Sequence, residues 1–562
     1  MKRTARSGGA GLFRRISRLA LQAGVAFSAL SVIAYAQLVP HIINQNELGE
    51  TVAQPVVTHQ PLAQASQPSS SVGAIKPFRL LTVQAQGGEA LPQSALAATW
   101  QPYLGTIVAS RQLSAILIAI GRLCEQQNFA LYAVSLPPQN FAAGNLRIRI
   151  SIGHVGAVSI QGNTKGSDLW LLKHYAARII VDNPLHRPTL ERNILLMETI
   201  PGLTVGSALH PIPGAPGAEQ LQLGIVRKPV EAGFDINNQG DRQLDIVQTT
   251  INLTINGLFR EGERDQLVFG APLTLRRYQY YGLVHQEPIG SNGDTLTVTA
   301  GDLVTNPTGE INSGTAQIVS AVFSDPLIET VTRNLTASIE GDYLNSNEAL
   351  LSQTISTERT RSLRAGISFA RAGDLAGIDS GSLTIAQGLD ILGAGRGSIA
   401  YGGPSFTKFS ASFSRLQALP RKFVFTFSAI GQYAPDHLPA SEQFLYGGPE
   451  FGQAYDAATM AGDSGVSVSG ELAHPIPLFQ KLPPAALSGL TGFGFADWGR
   501  IWNTHTQFMV PRDTGASAGA GIRFTILKKI TMSFGAASQL DKPLEEDKLQ
   551  QWRFIYTISG RF

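Results

Sequence analysis

Few side chains in this sequence stand where they could do chemistry. Gly462-Asp463-Ser464-Gly465 has the outline of the nucleophile segment of trypsin-like proteases. Serine hydrolysis needs a base and an orienting acid gathered around the hydroxyl, and a tetrapeptide supplies neither. The ten histidines show no HExxH or comparable ligand spacing. His154, His174, His186 and His210 read instead as surface or satisfied polar positions. The single cysteine, Cys124, excludes an intrachain disulfide and a multi-cysteine metal site, and reads as a small core hydrophobe. There is no Walker A loop. Neither a catalytic residue nor a metal site nor a cofactor is expected.

The chain that must position whatever else it carries has 562 residues, enough for several domains. With 44 Lys+Arg against 41 Asp+Glu, the net charge is +3, and no basic run occurs beyond the first 18 residues. Nucleic acid is therefore not an expected partner. Only 15% of residues are charged while 58 are glycine, which suits amphipathic strands whose polar faces carry no charge.

The N-terminus reads as an export signal. Lys2, Arg3, Arg6, Arg14, Arg15 and Arg18 precede an apolar core, Leu19–Ile33, and Ala34-Tyr35-Ala36 offers a cleavage site. That core is shorter than the roughly 20 residues of a spanning helix. Residues 1–36 are assigned to the signal. Residues 37–75, rich in Pro, Gln and Ser, are assigned to a linker, with a short candidate plug helix within Ile42–Thr51.

Two small α/β units follow, at 76–152 and 153–229. In the first, Phe78–Gln84 suits a strand. Leu113, Ile116, Leu117, Ile120 and Cys124 recur at helical spacing, and Leu146, Ile148 and Ile150 alternate with Arg147 and Arg149. In the second, strand Val155–Ile160, helix Leu169–Ile180, a helix opening at Thr189 and stopping at Pro201-Gly202, and two more strands repeat that order.

From residue 230 to 562 the pattern is alternation. Ile251, Leu253 and Ile255 alternate with Asn252, Thr254 and Asn256, and Phe409, Ala411 and Phe413 with Ser410, Ser412 and Ser414. The chain closes with Phe554, Tyr556, Ile558, Gly560 and Phe562 on one face. A soluble antiparallel sheet also alternates. Here, however, the series is unbroken by helical periodicity, and its apolar face uses aromatic and small residues. Lipid cannot satisfy an open sheet edge, so such strands must close into a barrel. At roughly 20 residues per strand and connection, about 16 antiparallel strands fit. Arg276, Arg359 and Arg361 read as lumen-lining, or as part of a solvated barrel face.

These features resemble the outer-membrane transporters of two-partner secretion, the ShlB/FhaC or TpsB hemolysin secretion/activation family of the BamA-like superfamily. Leu136-Pro137-Pro138-Gln139 with Gly144-Asn145-Leu146-Arg147-Ile148 is similar to the family's first POTRA domain, and Leu190–Gly202 to the helix and turn of its second. Gly447-Gly448-Pro449-Glu450-Phe451-Gly452-Gln453-Ala454-Tyr455-Asp456, then Gly462-Asp463-Ser464-Gly465, resembles the sixth loop, which folds into the barrel lumen with an Arg-Gly-Tyr/Phe tip. This match accounts for the serine tetrapeptide without catalysis. Phe495-Ala496-Asp497-Trp498-Gly499-Arg500 resembles the F-x-D-x-G motif of the wall, whose Asp receives the loop arginine. In this chain Gln453 replaces that arginine and Ala454 the glycine, so the resemblance implies a looser anchor or a substitute cation such as Arg500.

The fold implied is α+β periplasmic POTRA domains followed by an all-β transmembrane barrel. The function implied is capture of an unfolded exoprotein, bearing an N-terminal secretion domain, and its export through the barrel; the alternative is a BamA/TamA-like insertase. The expected lumen-loop residues are Gly447, Gly448, Gln453, Tyr455, Asp456, Gly462, Asp463 and Gly465. Their wall partners are Phe495, Asp497, Gly499 and Arg500. Tyr556, Ile558 and Phe562 form the signal for the barrel assembly machinery. The remaining expected partner is the lipid bilayer.

Overall fold

The computed structural model describes residues 75–562 except 163–168, 243, 308–311, 351–352, 374–375, 398–400, 478–486, 505–509 and 544–551. The signal and linker assignments, including the plug helix, lie outside the described residues.

In the first unit, β1 (Phe78–Arg79) and β2 (Thr82–Gln86) share what reads as one strand in the sequence. They are followed by α1 (Gln93–Ala98), β3 (Ile107–Val108), α2 (Ser110–Gln126), β4 (Tyr132–Ser135) and β5 (Asn145–Ile152). The sheet order is β2-β5-β4. Helix α2 packs Leu113, Ile116, Leu117, Ile120 and Cys124 against Leu146, Ile148 and Ile150 of β5. Burial pushes the Cys124 thiol up to about 11, which leaves it un-ionised and inert.

The second unit has β6 (His154–Gly162), α3 (Trp170–Val181), α4 (Arg187–Glu198), β7 (Leu203–Pro211) and β8 (Ala218–Arg227), in a sheet β6-β8-β7. Helix α4 begins two residues before the expected Thr189, because Pro188 is well suited to a first helical turn. The two units are joined tightly. Ala130 N–H donates to Leu185 O at 2.8 Å and Arg187 N–H to Asn128 O at 2.7 Å, and Leu131 sits in the second unit's core.

The barrel strands are β9 (Val230–Asn237), β10 (Gln248–Asn256), β11 (Arg264–Pro272), β12 (Tyr278–Pro288), β13 (Thr295–Thr305), β14 (Asn312–Glu329), β15 (Arg333–Leu350), β16 (Gln353–Gly373), β17 (Gly377–Gly388), β18 (Thr407–Ala418) and β19 (Val424–Tyr433). A hairpin, β20 (Phe444–Tyr446) and β21 (Met460–Gly462), precedes β22 (Ser464–Pro475), β23 (Leu487–Trp502), β24 (Arg512–Ile526), β25 (Ile530–Gln539) and β26 (Arg553–Arg561). All but the hairpin form one closed antiparallel barrel of 16 strands. It closes where β26 meets β9, over five residue pairs from Thr557↔Asn237 to Arg561↔Gly233.

Alternation sorts the faces. Ile251, Ile339, Leu363, Leu383, Phe409 and Phe554 are exposed outward, whereas Asp342, Arg364 and Lys408 are buried inside. Arg361 corrects the lumen-lining reading: it pairs with outward-facing Tyr343, its guanidinium 3.5 Å from that ring's centroid, and donates to Leu344 O at 2.7 Å. Its charge is thus held on an aromatic face and a carbonyl at the outer wall.

The second unit docks on one mouth of the barrel. Leu171 N–H donates to Glu261 at 2.8 Å, Trp170 Nε1 to Glu261 O at 3.2 Å, and Arg192 to Pro326 O at 2.9 Å. These contacts fall in or beside the turns β10–β11 and β14–β15, so those turns lie on the side of the small units.

Candidate functional site: the loop inside the barrel

The segment 434–463, between β19 and β22, turns back into the barrel and is held at three levels. At its base Asp463, fully buried, accepts Leu438 N–H at 2.9 Å and Thr504 N–H at 2.8 Å, and faces His437 Nδ1 at 3.0 Å. Asp463 thus ties the two legs of the loop together. Ser464 is fully buried and its Oγ accepts Ala434 N–H at 2.9 Å, which is a structural role rather than that of a nucleophile. Gly465 seats the Phe444 ring: a Cβ there would stand 2.1 Å from the ring.

The middle level is ionic. Glu442, fully buried, receives Arg364 of β16 at 2.9 and 3.1 Å and Lys408 of β18 at 2.5 Å. Arg364 also donates to Asp342 of β15 at 2.6 Å. Glu358 of β16 accepts Ala440 N–H at 3.1 Å and the Ser441 hydroxyl at 2.5 Å. Such buried charges persist only when paired and hydrogen-bonded.

The tip meets the wall motif. Asp497 accepts the Tyr446 hydroxyl at 2.8 Å, Gly452 N–H at 3.0 Å, Ser517 Oγ at 2.8 and 2.9 Å, and Gln453 N–H at 3.5 Å. Its donors are all neutral, and the Gln453 side chain is not among them. Gly499 lies beneath the Tyr446 ring, where a Cβ would stand 2.2 Å from a ring carbon; that close approach is the physical reason for a glycine in the motif. Phe495 packs on the same inner face, beside Ala454. The Tyr455 hydroxyl donates to Ala516 O at 2.8 Å. Gly447 and Gly448 open the turn after β20, and Gly462 ends β21 opposite Phe444.

The charged contact at the tip has the opposite polarity to the expected one. Asp456 of the loop is 3.1 Å from Arg553 of β26 and 3.0 Å from Arg242 in the β9–β10 turn. Arg553 also donates to the Tyr455 carbonyl, to Asn238 O at 2.9 Å and to Gly240 O at 3.3 Å. Among the described residues neither Arg553 nor Arg500 donates to Asp497; the charged contact of the tip lies instead between Asp456 and Arg553. Arg500 lies three residues from Asp497, an odd offset that turns it to the other face of β23 with Trp498 and Trp502. No sequence motif marks Arg553, Arg242, Glu442, Arg364, Lys408, Tyr446 or Ser517. Parity offered one signal: Arg553 shares its face with buried Ile555. Tyr556 and Ile558 lie on the opposite, outward face with Phe554, and Phe562, 55% exposed, stacks near Phe234 at 6.3 Å.

A closed barrel with α+β units at one mouth and a loop clamped in its lumen defines the class of outer-membrane β-barrels that carry POTRA domains. The chain belongs to the haemolysin secretion/activation family ShlB/FhaC/HecB, whose model matches residues 225–524, and residues 78–153 match the ShlB-type POTRA domain. It is a two-partner secretion transporter of the outer membrane, with its POTRA units in the periplasm. The heme/hemopexin transporter protein HuxB of Haemophilus influenzae (strain 86-028NP) is 22% identical over 466 residues, covering 80% of this chain and 81% of that one. CdiB from Escherichia coli superposes with a TM-score of 0.69 at 16% identity, over 90% of this chain and 94% of that one. CdiB from Acinetobacter baumannii gives 0.61 at 15% identity, over 99% and 100%.

Proposed function

We propose that residues 76–152 and 153–229 are the two POTRA modules that receive an unfolded exoprotein with an N-terminal secretion domain, and that residues 230–562 conduct it outward past the clamped loop. The edge strands β2 and β4 of the first sheet, and β6 and β7 of the second, support this reading. An extended peptide can add to such an edge through backbone hydrogen bonds, which demand little of its sequence. Transport, not catalysis, is the role assigned. The outward face with Tyr556, Ile558 and Phe562 is assigned to recognition by the barrel assembly machinery. The observation that carries the reading is the pairing, in one chain, of a barrel matched to the family over residues 225–524 with a POTRA unit matched over residues 78–153. Comparing secreted and outer-membrane proteomes with and without this chain tests it. Loss of one exoprotein with outer-membrane proteins unchanged is expected; a broad fall in barrel proteins would favour the insertase reading.

The loop anchor is assigned to the inverted pair, Asp456 on the loop and Arg553 on the wall, with Arg242 beside it. A double-mutant cycle with Asp456→Asn and Arg553→Gln is expected to give about 1–3 kcal/mol of coupling in barrel unfolding. Additive effects would remove the pair from this role.

A further inference from the structure

On the outer wall, away from the loop, β11 and β12 place Asp265 directly opposite His285, with Glu263 two residues earlier, at the end of the preceding turn. His285 Nδ1 is 2.8 Å from Asp265 Oδ1 and 3.9 Å from Glu263 Oε1. One ligand atom from each residue lies within 4.8 Å of the other two.

The carboxylates are incompletely satisfied. The Glu263 side chain is only 3% exposed; its Oε2 accepts Phe259 N–H at 2.7 Å and Arg260 N–H at 2.9 Å, while Oε1 has no hydrogen-bond partner. Asp265 Oδ2 is likewise buried without a partner. Among the described residues no lysine or arginine forms an ion pair with either acid. The cross-strand neighbours on this face are Ile255 and Val298. One buried acid, Glu263, and a second, Asp265, with one buried oxygen unpartnered, set against apolar neighbours, call for a cation.

We propose that Glu263, Asp265 and His285 form a divalent-cation site. One imidazole nitrogen with two carboxylate oxygens suits a zinc-class ion, whereas calcium takes 6–8 oxygens. Ligand distances of about 2.0–2.2 Å separate tetrahedral ligand atoms by about 3.4 Å, so small adjustments of the half-exposed His285 ring and of the two carboxylates, already within 4.8 Å of one another, bring them to coordination distance. On binding, Nδ1 ligates the ion without a proton and the neutral imidazole carries its single proton on Nε2, any further proton leaving to solvent. Water completes the shell.

The site has a mechanical context. Glu263 closes the 257–263 turn, and the neighbouring Glu261 holds Leu171 and Trp170 of the second POTRA unit. Arg260 from the same turn lies 4.1 Å over the Trp170 ring. A bound ion stiffens the turn on which that unit sits.

The test uses the full chain without an affinity tag, in detergent micelles, stripped with chelator and titrated calorimetrically with zinc chloride. Saturable binding of one ion per chain is expected, with at least about tenfold weaker binding in Glu263→Gln and in His285→Ala. Heat-modifiable electrophoretic mobility verifies that each variant barrel is folded. Excess calcium should leave the zinc isotherm unchanged. Absence of saturable binding in the parent, equal binding in both folded variants, or displacement by calcium overturns the assignment.

Discussion

A chain lacking residues 76–152 is expected to insert and close its barrel normally while exporting no detectable cargo. The barrel's ladder runs from β9 to β26 and draws no strand from the first unit, whose core around Ile116, Ile148 and Leu146 is its own. What the deletion removes is the pair of free sheet edges, β2 and β4, through which an incoming peptide would be captured. It also withdraws Leu131 from the second unit's core. A second variant therefore accompanies it: Ile148→Asp buries an unpaired carboxylate at a fully buried position and unfolds the first unit with Leu131 still in the chain. Cargo in the medium, measured against folded barrel in the membrane, should fall to background in both. Undiminished export from either would refute capture by the first unit.

The other large effect is expected from Glu442→Ala. This carboxylate receives both Arg364 and Lys408, and its removal leaves two buried cations to share Asp342 and the remaining dipoles. Breaking a buried pair from one side costs about 3–5 kcal/mol. The loss falls on the loop, because Arg364 and Lys408 belong to the wall and Glu442 is the loop's contribution. Larger and more variable single-channel conductance in planar bilayers is expected, with a lower barrel melting temperature. Glu442→Gln should do less, since its amide oxygen still accepts from Arg364. Conductance and stability equal to the parent's in Glu442→Ala would show that the loop is seated by other contacts.

Much of this architecture is legible in the sequence because it follows from local periodicity. Period two in the barrel and helical spacing in α2 are properties of neighbouring residues, and they foretell a barrel of about 16 strands after α+β units. Strand length is less legible: β14, β15 and β16 run 18, 18 and 21 residues, beyond what a bilayer requires. Nothing local marks where a polar strand leaves the membrane. The loop site is legible only where a motif names it. Asp497 and Tyr455 stand in recognisable words, but Glu442 meets Arg364 across 78 residues and Tyr455 meets Arg553 across 98. Which strand stands across the lumen from which is set by closure, and alternation along one strand cannot report it. Parity does distinguish Arg500, facing out, from Arg553, facing in.

The inverted tip has a consequence for how such proteins diversify. Asp456, Arg553 and Arg242 come from the sixth loop, the last strand and the first turn of the barrel, yet two ion pairs join them through the one carboxylate. A loop borrowed from a relative with no acid at that place would take a carboxylate away from both Arg553 and Arg242. Its own arginine would meanwhile arrive beside an Asp497 already occupied by Tyr446 and Ser517. The three segments therefore behave as one heritable part, and recombination that separates them is expected to produce hybrids whose loop no longer fits its wall.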